Sequence, residues 1–129
     1  MNAPLPPDQF HARPRGEVSL SAQWSAMRDA GAAVALLAGV DAGVPGAAER
    51  NFAATIADAG GWRLDLAREG LTDMDALLQP GLAALLAVKA RGRDAAAPAR
   101  ALWSEYRVAR DALLALAPEA GAMGPRRSA

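Results

Sequence analysis

Between Leu20 and Leu116 the apolar residues recur at intervals of three and four, the period of helices that each bury one face. The clearest run is Ala99, Leu102, Tyr106, Ala109, Leu113 and Leu116, spaced 3–4–3–4–3 like a coiled-coil seam. Asp94 can cap this helix, Pro98 falls early enough that its missing amide hydrogen costs little, and Pro118 stops it. A second run, Leu20, Trp24, Met27, Gly31, Val34 and Ala38, predicts a helix over about Ser21 to Gly39, with Ser19 or Ser21 as N-cap. The two small residues in that stripe would let a neighbouring helix approach closely.

The middle of the chain is less regular. "DAGVPGAAER" reads as a turn into a second helix, with Pro45 near its first turn and Phe52, Ile56 and Ala59 marking the buried side. Gly60 and Gly61 interrupt it. "WRLDL" then alternates apolar and polar as a strand would, yet Trp62 and Leu66 also stand four apart, as on a helix. No other strand is available to pair with it, so helix is the favoured reading, closed by Gly70 at C′. Thr72 opens the next segment, with Asp75 completing a capping box. Met74, Leu78, Leu82, Leu85 and Val88 keep helical register across Pro80 and end at Gly92, which predicts a kinked helix, or two nearly in line, bent at Gln79–Pro80. The expected architecture is all-α: a small up-and-down bundle of about four helices, one kinked or broken at Pro80, over residues 19–117. A Pro-rich leader arm, residues 1–18, and a Pro/Gly/Arg tail, residues 118–129, flank it and should be extended and mobile unless docked.

Composition supports this class. Alanine supplies 34 of the 67 hydrophobic residues and leucine 16, whereas valine and isoleucine together supply seven, a balance that favours helix over sheet. Leu, Ile, Val and Phe total only 25, near the border of disorder, but 14 basic residues balance 14 acidic ones. A folded domain with a small-residue core is expected. The charges are sorted along the chain: residues 41–80 carry seven acids and three bases, residues 81–129 four acids and eight bases. Such a dipole favours head-to-tail or antiparallel self-association, although simple sorting by helix end accounts for it too.

The chain has no cysteine, which removes disulfides, thiol catalysis, iron–sulfur clusters and cysteine-ligated zinc. Its longest uncharged apolar run, Ala30 to Val40, is far short of the ~20 residues a membrane span needs. "MNAPLPPDQF" lacks a basic region followed by an apolar stretch, so a cytoplasmic protein without a membrane partner is expected.

Candidate chemistry is thin. The only histidine, His11, lies in "DQFHARPRGE" in the leader, away from any helix that could supply further metal ligands or a general acid–base partner. Asp73 and Asp75 are accounted for as first-turn acids. No serine stands in a nucleophile elbow, and no phosphate loop is present. No enzyme activity, cofactor or metal is therefore expected. Lys89, Arg91, Arg93, Arg100, Arg107 and Arg110, with Arg126 and Arg127 in the tail, form a basic region, but Asp94, Glu105 and Asp111 interrupt it, which argues against nucleic acid.

The expected function is non-enzymatic: a protein–protein interaction module acting as accessory, adaptor or regulatory subunit, for which a homodimer is one available form. Its partner-binding residues would be Phe10, Arg13 and Arg15 in the arm, with Trp103 and Arg110 on the last helix. Trp103 stands one position off the Leu102/Tyr106 seam, which leaves two readings, a second core face or an exposed anchor. Trp24, Trp62 and Tyr106 read as core. The alternative function is a bundle that binds a small apolar ligand near Pro80–Gly81 and the tryptophans; a weak nucleic-acid binder comes third.

Overall fold

The structure, a computed structural model, describes residues 19–118. These form four helices, α1 (Leu20–Ala38), α2 (Ala47–Ala59), α3 (Gly61–Ala90) and α4 (Ala96–Leu114), with no strand among the described residues. It is a small all-α bundle, as the periodicity requires.

Local chemistry sets the helix ends. Ser19 caps α1 by accepting a hydrogen bond from the Ala22 amide at 3.0 Å. At the other end Gly39 turns left-handed, and the amides of Gly39 and Val40 donate back to Leu36 and Ala35, closing the orphan carbonyls. Between α2 and α3 the chain reverses through Gly60 and Gly61, at φ +60° and +58°, a conformation that side chains with a Cβ resist. The α3–α4 turn is closed by Asp94, whose Oδ1 accepts from the Ala96 amide at 3.0 Å.

The largest interfaces join α1 to α4 and α3, and α3 to α4. Gly70 faces Leu113 and Gly81 faces Leu102, so α3 and α4 run antiparallel. Gln23 meets Arg68 at the start of α1, and Leu37 shares a cavity with Lys89 at its end, so α1 runs along α3 in the same direction. The shorter α2 packs against both α3 and α1, and Phe52 meets Trp24 in a tilted contact with ring centroids 4.2 Å apart. Phe52, Ile56, Leu78 and Val34 are the most deeply buried large side chains, and no charged or polar side chain is buried among the described residues. Removing each such side chain from water stabilises the fold by about 1.5–3 kcal/mol.

Several sequence expectations need correction. Ala59 is exposed, leaving Phe52 and Ile56 as the buried pair of α2. Gly70 does not end a helix, and Thr72 does not cap the next: α3 runs unbroken from Gly61 to Ala90, through Pro80. Packing is the reason. A Cβ at Gly70 would lie 2.7 Å from Leu113 Cδ2, and one at Gly81 2.8 Å from Leu102 Cδ2, so these glycines admit leucines from α4. Thr72 instead donates its hydroxyl back to the Arg68 carbonyl at 3.0 Å, one turn earlier in the same helix. Asp73 and Asp75 are accordingly exposed mid-helix residues rather than first-turn acids. Trp62 is 58% exposed, against the expectation that it heads a core stripe.

Candidate interaction surface

Phe10, Arg13 and Arg15, with His11, lie outside the described residues. The two remaining predicted contact residues are brought together, but facing inward. Trp103 is 9% exposed and stacks on Tyr106 with centroids 5.3 Å apart, so it takes the core alternative and is not presented as an anchor. The Arg110 guanidinium lies 5.6 Å above the Tyr106 ring, and its Nε is 3.2 Å from Asp111 Oδ1.

Tyr106 is the hub of this corner. Gly31 leaves room for its ring, and any Cβ added there would collide with the ring carbons. Trp24 Nε1 donates to the Glu49 carbonyl at 2.8 Å, and Arg28 pairs with the Glu49 carboxylate at 4.0 Å. Burial raises the Tyr106 pKa above its ordinary 10.0; nearby Glu49 pushes the same way, and Arg110 opposes both. A phenol held neutral in this way does not serve as a base at neutral pH. The cavity here, about 190 Å³, is lined by Arg28 and Arg110 together with Asp29 and Glu49; Arg28 pairs with Glu49 across it, while Arg110 turns to Asp111.

The most apolar recess lies elsewhere, on the outer side of the α3–α4 pair. Two adjoining hollows of about 480 and 500 Å³ share Leu77, Ala109 and Ala112, forming one open groove. Leu66, Gly70 and Met74 floor one end and Leu116 closes it, while Val108, 72% exposed, stands at the other. Val108 lies five residues from Trp103, about 140° around the helix, so groove and core claim different faces of α4. Glu69, Asp73 and Glu105 line the groove, and no cation does. Neither ion pair found among the described residues, Arg28–Glu49 and Arg110–Asp111, involves these three acids.

At one end of the groove Arg63 ties the start of α3 to the segment that follows α4. Its Nε donates to the Leu116 carbonyl at 2.9 Å, satisfying a free group at the end of α4, while its guanidinium stacks 4.6 Å over exposed Trp62. The sequence reading missed this residue and the groove. The available signal was a surplus: α3 is, by length and composition alone, apolar enough to cross a membrane, yet only 22% of that stretch is buried in the bundle. Its apolar residues serve two faces, one toward the core and one toward the groove.

The pocket expected around Pro80–Gly81 is not formed at Gly81, because Leu102 fills that side. Lys89, Arg91 and Arg93 are exposed at the end of α3, beside exposed Asp94. Comparison with protein-family models, with curated proteins and with solved structures found no match to this chain.

Proposed function

We propose that this protein is a protein–protein interaction module that engages its partner through the outer face of α3 and α4. One observation carries the reading: an apolar groove runs along two antiparallel helices whose other faces already form the core. Leaving Leu66 and Val108 exposed on either side of half-buried Leu77 serves no packing purpose within the bundle, and contiguous exposed apolar area marks a contact site. An adaptor or regulatory subunit would use such a face.

Self-association by two-fold pairing of this face fits less well. It would set Glu69, Asp73 and Glu105 of one copy against the same acids of the other, which costs affinity. A distinct partner with basic residues around an apolar stripe suits the groove.

The test compares tagged full-length protein with its Val108→Glu and Leu66→Glu variants. Both side chains are exposed, so the folded state should tolerate the change. Support is a stoichiometric, nuclease-resistant complex that both variants lose while their thermal unfolding stays unchanged. A complex that forms equally well with the variants refutes this surface.

A further inference from the structure

We infer that the α3–α4 groove takes a basic amphipathic helix of a partner protein, with Arg or Lys on both flanks of an apolar stripe. This rests on the reading of that face as a contact surface and names the chemistry of what covers it.

The groove is closed to an extended peptide. Its walls are helices α3 and α4, whose backbone groups bond along their own axes, so neither offers a free edge to an added strand. A segment entering an apolar groove must then satisfy its own amides and carbonyls, which a helix does. Gly70, Ala109 and Ala112 keep the floor low between Leu66 and Val108, leaving room for the side chains of a further helix.

Charge sets the sign of the occupant. Glu69, Asp73 and Glu105 are exposed along the lining, and no cation lines it. A second copy of this face brings the same three acids, and a neutral apolar ligand leaves them without a partner.

The spacing of the acids suits a helix. Glu69 and Asp73 stand one turn apart on α3, a rise of about 6 Å. Gly70 faces Leu113 and Gly81 faces Leu102, so the antiparallel register is constant and Glu105 stands level with Leu78. The third acid is thus on the opposite wall, about 13.5 Å of rise from Glu69. On a partner helix lying along the groove, those rises correspond to about four and nine residues. Four residues return to nearly the same flank, about 40° away, and nine reach the opposite flank, about 180° away. Cations at i, i+4 and i+9 therefore meet both walls, with the apolar stripe between them over Leu77. Exposed ion pairs are individually weak, so they set register while the stripe supplies the hold.

The experiment pans a phage-displayed library of random peptides, each about 15 residues or four turns long, on the immobilised full-length protein. Binders retained by Val108→Glu are discarded. The expected enrichment is for net-positive sequences with apolar residues at three- and four-residue spacing and cations on both flanks. A synthetic enriched peptide should gain helical circular dichroism on binding. Its affinity should fall about tenfold in Glu69→Lys/Asp73→Lys, fall in Glu105→Lys, and weaken as salt rises from about 0.05 M to about 0.5 M. All three acids are exposed, and circular dichroism of each variant confirms that the bundle is intact. No enrichment, enrichment of acidic or Pro-rich sequences, affinity unchanged by the charge reversals, or a groove found covered by a second copy in sedimentation overturns the inference. The two proposals fail separately. A cellular complex lost in Val108→Glu but unchanged in Glu69→Lys/Asp73→Lys keeps the surface and overturns the basic helix. A complex indifferent to Val108→Glu overturns the surface itself.

Discussion

Gly31→Ala measures how closely α1 and α4 approach. At an open helical site the change stabilises by about 1 kcal/mol, since alanine is the better helix former. At Gly31 the new Cβ would collide with the Tyr106 ring, 2.6 and 2.7 Å from its Cε1 and Cε2. The ring cannot swing aside cheaply: it is 3% exposed, backed by Trp103 and covered by Arg110. Overpacking of this kind costs about 1–3 kcal/mol, so the net effect should range from near zero to a loss of about 2 kcal/mol. Gly70→Ala is the internal control, because it gains the same propensity but meets only a terminal methyl of Leu113 that can rotate away. The expected order in urea denaturation is Gly70→Ala at or above wild type and Gly31→Ala below it. A double-mutant cycle with Tyr106→Ala should return a coupling of about 1 kcal/mol or more, because the collision needs both partners. If Gly31→Ala stabilises as an open site does, the α1–α4 contact is wrongly described.

Tyr106 is the only tyrosine, so absorbance near 295 nm follows it alone. Its folded inflection should lie above 10.0, and the stability its burial confers should be full below about pH 10 and be lost as pH rises through the raised value. An inflection at or below that of the denatured chain would contradict the burial. Ser19→Ala should cost about 1 kcal/mol through loss of the α1 cap, whereas Thr72→Ala should stay within about 0.5 kcal/mol, because its hydroxyl bonds mid-helix; equal costs would restore the capping role for Thr72. Phe52→Ala should lose about 3–5 kcal/mol by opening a cavity against Trp24, and a loss below 1 kcal/mol in a urea melt would show that α2 is not docked.

Much of this fold was legible in the chain. The Leu20-to-Ala38 and Ala99-to-Leu113 stripes name core faces because a helix repeats every 3.6 residues, whatever it packs against. Ser19, Gly39 and Gly60 mark ends by chemistry confined to a few neighbouring atoms. The reading failed at Gly70, Thr72 and Trp62, where local and tertiary preferences part. Glycine read alone is a stop signal, but Gly70 lies inside a continuous helix, facing Leu113 of α4 across the contact.

The helical class, the four-helix count and the buried stripes thus followed from the sequence, since periodicity and composition act within one segment. Tertiary structure decided which glycines were packing sites, that Trp103 belongs to the core, and that α3 and α4 leave an acidic-rimmed apolar groove between them. A groove belongs to two helices at once. Leu66, Leu77, Val108 and Ala112 are scattered over 47 residues of chain and become one surface only when the antiparallel pairing sets them side by side.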